Sequence, residues 1–329
     1  MNFYTYNGNQ PQNDTRDLFL WRLLCYPEFM KPFDVVGVGY CAVDYLGIVP
    51  RFPEVDEKIL MEEFSRQGGG ITATAMATVG RLGGRASYIG KVGDDDFGRF
   101  IIAQLEKEGV HTGSMVVQPG ASSQFSFVVV DKPSGKRTIF WTHSDIRFEG
   151  SELRWEDVLS GKVVHVDAHH PSAAIQAATW ANEAGIPVVM DAGSVREGSK
   201  ELVERADCLI ASSLFARQFT GQDDSEKSAH LMFGGRRKIS VVTMGEKGSV
   251  YVTEEGLFHQ PAFKVKVVDT TGAGDVFHGA FSFGLSQGWG FTEIIRVASA
   301  VAALKCTKLG GRAGIPTLEQ ALAFLRLAP

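Results

Sequence analysis

The sequence predicts an α/β protein: a doubly wound, mostly parallel sheet, with a smaller β-sheet set apart from it. Three observations carry that reading. From Val163 onward strand-like apolar runs alternate with helical patterns, the order a parallel sheet needs because its strands are joined by crossovers. A buried-type run, Asp34-Val35-Val36-Gly37-Val38-Gly39, precedes them and ends in glycine. Residues 45–67 and 124–142 alternate apolar and polar side chains instead, as half-exposed strands do.

Taken in order, the first 32 residues read as a polar extension with a short amphipathic piece, Leu18–Cys25. Asp34–Gly39 is the first strand. Its Gly37-x-Gly39 invites a dinucleotide-fingerprint reading, but Ala42 replaces the third glycine and Pro50 bars the helix that would carry a phosphate. Asp44 follows the strand's carboxyl end, where open α/β sheets bind ligands. It offers acceptors to two hydroxyls or a cap for local N–H groups. Residues 45–67, with Pro50 and Pro53, predict an exposed ribbon outside the core. Gln67-Gly68-Gly69-Gly70 then opens a small-residue helix, Ile71–Leu82, stopped by Gly83-Gly84. A glycine triplet there permits close approach by a polar ligand or serves as a joint.

Asp94-Asp95-Asp96 lacks the EF-hand spacing and reads as caps for a helix from Phe97. Gln124–Asp131 and Arg137–Thr142 form a hairpin around Lys132-Pro133-Ser134-Gly135. The alternating part follows: Val163–Val166, Ala173–Ala184, Val188–Met190, Lys200–Arg205 and Cys208–Ile210. His169-His170 at a strand end point to opposite faces and chelate one ion poorly. Ile239–Thr243 and Ser249–Thr253 are strands joined by Met244-Gly245-Glu246-Lys247-Gly248, a turn open enough for a ligand's phosphates. An Ala-rich helix, Thr292–Cys306, and a capping box, Thr317-Leu318-Glu319-Gln320, close the chain.

Composition narrows the function classes. The 329 residues are 44% hydrophobic and 22% charged, enough for one large α/β domain or two smaller ones. A formal charge of −5 gives no support for nucleic-acid or anionic-membrane partners, so an anionic ligand needs a local site. Cys25, Cys41, Cys208 and Cys306 form no CxxC pair, which fits a reduced, cytoplasmic setting. Leu18–Cys25 is too short to span a bilayer and has no basic flank like a signal peptide's. No G-x-x-x-x-G-K-[ST] string occurs, which sets P-loop chemistry aside.

The chemistry concentrates in Val267-Val268-Asp269-Thr270-Thr271-Gly272-Ala273-Gly274-Asp275-Val276-Phe277-His278-Gly279-Ala280-Phe281. A turn of small residues opens a helix. Its backbone amides make a concavity for an anion, and the helix dipole favours negative charge there. Asp275 stands beside that concavity, placed to accept or orient a hydroxyl proton. At the ordinary aspartate pKa of about 4 it is ionised at neutral pH.

DTTGAGDVFHGAF resembles the C-terminal signature of the ribokinase-like (PfkB) carbohydrate kinases. Gly69-Gly70-Ile71-Thr72-Ala73-Thr74-Ala75, ending in Gly80-Arg81-Leu82-Gly83, resembles the N-terminal one, and GKVGDDDFG and VTMGEKGS resemble further family segments. The resemblance covers residues 33–329 and leaves 1–32 outside. It implies a three-layer α/β domain with a β-sheet lid from residues 45–67 and 121–142, which pairs into homodimers in many members. It implies transfer of the ATP γ-phosphoryl group to a sugar hydroxyl, with Mg²⁺. Asp275 matches the general base, and Gly272, Ala273 and Gly274 the anion hole. Asp44, Gly69, Gly70 and Thr74 match sugar-contacting positions. Thr243, Gly245 and Gly248 match nucleotide-phosphate positions, and Cys306 the adenine flank. Asp269 and Thr271 match residues that hold a monovalent cation, K⁺, in ribokinase-type members.

Two departures stand out. Thr74 replaces the usual Asn, so sugar contacts differ there. The N-x-x-E stretch that helps organise the Mg²⁺ water shell is Ser212-Ser213-Leu214-Phe215 here. The C-terminal third is similar to sulfofructose kinases, and Lys58 falls where that branch has a lysine near the anionic end of its sugar; a solvated ribbon lysine is the plainer reading. A nucleoside kinase using Phe125, Phe140 and Trp141 as a stacking wall, and a catalytically silent sugar-binding regulator, are the rival readings.

Overall fold

The computed structural model describes residues 31–142 and 144–327. The Leu18–Cys25 piece lies outside them. In chain order the elements are β1 Phe33–Val38, β2 Ala42–Val49, β3 Glu63–Gly69, α1 Ile71–Arg81, β4 Ala86–Ile89, β5 Lys91–Gly93, α2 Asp96–Lys107, β6 Val110–His111, β7 Val116–Gln118, β8 Phe125–Asp131 and β9 Arg137–Trp141. After α3 Trp155–Val158 come β10 Gly161–Asp167, α4 Pro171–Glu183, β11 Val188–Ala192, α5 Ser199–Arg205, β12 Cys208–Ser212, α6 Ser213–Thr220, α7 Ser225–Met232, β13 Ile239–Thr243, β14 Ser249–Thr253 and β15 Gly256–Gln260. The chain ends with α8 Ala273–Ser286, α9 Phe291–Lys305 and α10 Leu318–Leu327.

The β-branched runs pair into one sheet of nine strands, ordered β15-β14-β13-β12-β11-β10-β1-β4-β6. It is parallel from β13 to β6, and β14 and β15 turn back antiparallel at one edge. Successive side chains leave a strand on opposite faces. Val35 therefore joins a core layer with Met76, Ile101, Phe281 and Val301, while Val36 joins one with Ala177, Leu202, Phe215 and Met232. Helices thus cover both faces of the sheet.

Helix α8 carries the DTTGAGD string into this framework. It is apolar nearly all round and buried from Val276 to Gly284, lying between α1 and α9. A Cβ at Gly279 would stand 2.4 Å from the Ala75 carbonyl oxygen, so glycine is what lets α8 and α1 approach this closely.

The smaller sheet is ordered β3-β2-β8-β9. Here the exposed-ribbon expectation for residues 45–67 needs correcting. β2 is an inner strand, and Leu46, Ile48, Val128 and Val130 bury one face of the sheet over Val268 and Leu309. Only the excursion from Arg51 to Glu62 and part of β3 fit the exposed reading. The tip of the β8–β9 hairpin reaches the turn before α8: Thr270 N and Oγ1 both donate to the Gly135 carbonyl, at 3.4 and 3.3 Å. The opposite face is apolar and open, with Phe64 63%, Phe127 52% and Phe140 53% exposed.

Candidate active site

The carboxyl ends of β1, β10 and β11 meet the small sheet and the N-terminus of α8. Asp44, on β2, is partly buried there. Its Oδ1 accepts from Ser126 Oγ at 2.6 Å. Burial pushes its carboxyl upward, while that hydroxyl and the Arg312 guanidinium pull it back. Gly69, on β3 two residues beyond Asp44's register partner Gln67, leaves the space the carboxylate occupies: a Cβ would sit 2.1 Å from Asp44 Oδ2. Gly70 caps α1 at φ +88°, and a Cβ there would meet the Cys41 Cα at 2.3 Å. Both the conformation and the space demand glycine.

Thr74 departs from expectation. It is 1% exposed, and its hydroxyl accepts from Arg312 Nε at 3.3 Å. Arg312 also donates to the Gly69 carbonyl at 3.0 Å. Its Nη1, lying where a Gly68 Cβ would come within 2.5 Å, is buried with no hydrogen-bond partner. Thr74 thus holds an arginine, because the chain after α9 folds back behind the glycine triplet. Arg312 stands in Leu309-Gly310-Gly311-Arg312-Ala313-Gly314, and nothing local to it points at residues 69 and 74.

The anion-hole residues form the start of α8. Gly272 takes the left-handed conformation at φ +70° and packs on Gly311. Gly274 is exposed, and a Cβ would meet nothing within 4 Å, so the first-turn amides are open from outside. The amides of Gly274 and Asp275 have no helical acceptor behind them. Asp275, in that first turn, keeps partial solvent contact. Burial pushes its carboxyl up to about 7, with the Asp191 charge adding to the rise and His278 and Arg137 opposing it. The expectation of an ordinary carboxylate near 4 is therefore corrected: burial and the Asp191 charge hold Asp275 well above it.

His278 lies one turn along α8. Its Nδ1 is 2.6 Å from the Gly274 carbonyl and 3.0 Å from Asp191 Oδ2, and its Nε2 is 3.1 Å from the Ile210 carbonyl. This histidine ties the anion-hole helix to β11 and β12. From the sequence, His278 has no assigned role, and Asp191 reads only as part of a metal cluster with Asp167, His169 and His170. Arg137 reaches the same loop from β9, donating to Thr270 Oγ1 at 3.3 Å.

Thr243 ends β13, and its carbonyl accepts from Ser213 Oγ at 2.9 Å. Gly245 has φ +60° with open space at its Cβ, whereas a Cβ at Gly248 would meet the Gln260 carbonyl at 2.1 Å. Cys306 caps α9 and is buried, and its carbonyl accepts from Val268 and Asp269 N at 2.8 and 3.2 Å. Lys58 is exposed on the excursion between β2 and β3. At the missing N-x-x-E position, Ser212 caps α6 by accepting from Phe215 N at 3.0 Å, and Phe215 is fully buried, stacked on Phe219. That position serves the core.

A cavity of 610 Å³ adjoins the site, lined by Tyr40, Gln124, Trp141, His169, His170 and Arg196 among others. It does not include Asp44 or the α8 turn. His169 stacks on Tyr40 with ring centroids 4.6 Å apart, and Asp167 beneath it accepts from Tyr40 N, Thr72 Oγ1 and His169 N. Burial opposes ionisation of Asp167, yet His169 and these donors hold its carboxyl well below the usual range. Among the described residues no group of three or more His, Cys, Asp or Glu is arranged to hold a metal ion. Among them, too, no helix is long and apolar enough to cross a membrane.

The family model of pfkB family carbohydrate kinases matches residues 33–318. Fructokinase-1 of Oryza sativa subsp. japonica is 30% identical over 323 residues, covering 89% of this chain and 98% of that protein. Fructokinase-2 of Solanum lycopersicum is 29% identical over 322 residues, covering 89% and 96%. The ribokinase of Thermotoga maritima superposes with a TM-score of 0.78 at 27% identity, covering 89% of this chain and 99% of that one. A ribokinase of Arabidopsis thaliana complexed with ribose and ATP shares the fold, with a TM-score of 0.76 at 24% identity over 89% and 99%.

Proposed function

The chain belongs to the pfkB family of carbohydrate kinases, and from that premise we propose that it moves the terminal phosphoryl group of ATP onto a hydroxyl of a sugar or sugar derivative. The observation that carries this reading is Asp275 in the first turn of α8, beside open main-chain amides and across from Asp44. In this reading Asp44 accepts from sugar hydroxyls while Gly69 and Gly70 let the ring approach the backbone. Thr243, Gly245 and Gly248 flank the nucleotide's phosphates. The helix start and its dipole stabilise negative charge on the moving group. Asp275 takes the hydroxyl proton late, as the bond to the leaving phosphate loosens. Mg²⁺ arrives with the triphosphate as MgATP, its water shell organised without a glutamate at position 215.

The test is ADP release from MgATP with a panel of ketoses, aldoses, nucleosides and anionic sugars. Turnover with a sugar supports the reading. Sugar binding with no turnover anywhere would favour the regulator, and preference for nucleosides the nucleoside kinase. Phe125 favours the sugar, since it packs with Tyr45, Phe97 and Phe127 and is not left free as a wall. The buried, unpartnered Nη1 of Arg312 favours a substrate rich in acceptors, an anionic sugar included. In solution the open apolar face of the small sheet is the surface through which two copies pair, which sedimentation of the wild type against Phe127→Glu tests.

A pH dependence follows from Asp275. Only its ionised form accepts a proton, so kcat/KM rises tenfold per pH unit below about 7 and levels off above it. A profile already flat at pH 5 would mean that another group takes the proton.

A further inference from the structure

Lys305, the last residue of α9, is fully buried, and its Nζ donates to the main-chain carbonyl of Asp269 at 2.9 Å. A buried ammonium is costly to desolvate and persists only where the surroundings repay it. Burial pulls the ammonium below the usual lysine range, while the accepting carbonyl, the α9 C-terminus and the Asp269 and Asp275 carboxylates oppose that pull and favour its charged form.

Asp269 is where the family resemblance implies a monovalent cation, and the residues present do not fit one. Its Oδ1 accepts from Thr271 N at 2.8 Å and Thr271 Oγ1 at 2.7 Å; its Oδ2 accepts from Gly310 N at 2.7 Å. Its carbonyl is taken by Lys305. Every oxygen of Asp269 already has a protein donor. We propose that the Lys305 side chain is a tethered cation that sets the Asp269–Gly272 turn, and with it the amides at the start of α8, so that this chain needs no free potassium ion. Lys305 is a positioning residue on this account, since it acts through the turn.

The experiment compares potassium chloride with tetramethylammonium chloride at equal ionic strength, reading the melting temperature and the affinity for MgADP by calorimetry. For the wild type both are expected to be the same in the two salts, within about twofold in affinity. Lys305→Ala is expected to weaken MgADP binding by about tenfold or more, and potassium to restore part of that loss and raise the melting temperature. Lys305→Met keeps the stem and drops the charge; it is expected to bind MgADP as weakly as the alanine variant and not to respond to potassium. Stabilisation or tighter binding of the wild type by potassium overturns the proposal, as does wild-type MgADP affinity in folded Lys305→Met. The proposal extends the kinase reading, but the melting arm uses no nucleotide. A wild type that binds no MgADP counts against the kinase reading, while its salt response still decides the role of Lys305.

Discussion

Asp275→Asn is expected to lower kcat by about 100- to 10,000-fold, the range a positioned general base contributes. The amide keeps the size of the carboxylate but cannot accept the proton of an attacking hydroxyl. The open amides of the α8 turn do not depend on it, so MgATP affinity should change little, and calorimetry checks that. The same substitution gives a stability signature. Burial raises the folded carboxyl to about 7 against an ordinary value near 4, so the wild type's stability from this group is complete below about 4 and lost as pH rises through about 7. Asparagine has no charge to strand. Asp275→Asn should therefore melt higher than the wild type above pH 7, with the difference closing toward pH 4. An inactive variant that also melts lower at pH 8 would point to collapse of the turn, and unchanged turnover would remove Asp275 from the chemistry.

What could be read from the chain divides by range. The strands from β10 to β14 and the helix at α1 are legible because β-branched runs and small-residue periodicity are local signals. Helices α6 and α7 carry no comparable local signal, since each spans only eight residues and its apolar face is set by the sheet behind it. β2 reads as exposed from its sequence because alternation says that one face is buried without saying what covers it; Val268 and Leu309 lie more than 200 positions away. The site divides the same way. Asp275 and the Gly272–Gly274 turn are contiguous, and Asp44 and the glycine triplet each sit at a visible break. Arg312, Asp191 and Lys305 reach the site through the topology: the bond from Arg312 to Gly69 joins residues 243 apart in sequence. The pKa of Asp275 was unreadable for that reason too, because it depends on burial and on Asp191. Phe215 shows the converse: where the family resemblance implies a glutamate that organises the metal's water shell, this chain has a core residue, fixed by the cap on its amide and by its stacking.

Asp44→Asn is expected to lower kcat/KM for the sugar by roughly 100- to 10,000-fold, almost entirely through the sugar. Hydrogen bonds to a charged acceptor contribute about 1.5–3 kcal/mol each. A carboxylate holding two hydroxyls thus supplies roughly 3–6 kcal/mol, which is that range of affinity. Asparagine keeps one acceptor and turns the other position into a donor, which clashes with a hydroxyl that donates and with Ser126 Oγ. It also removes the negative charge facing the buried Arg312 guanidinium, so some loss of melting temperature accompanies the change. Ser126→Ala separates the two effects. It deletes one neutral donor to Asp44 and should cost less than about tenfold. Gly69→Ala approaches the same point from the other strand: its methyl group would stand 2.1 Å from the carboxylate and force Asp44 out of position. The sugar KM should rise in both Asp44→Asn and Gly69→Ala while MgATP affinity is kept. A sugar KM unchanged in Asp44→Asn would move the substrate elsewhere, with the cavity lined by His169, His170 and Arg196 as the place to look.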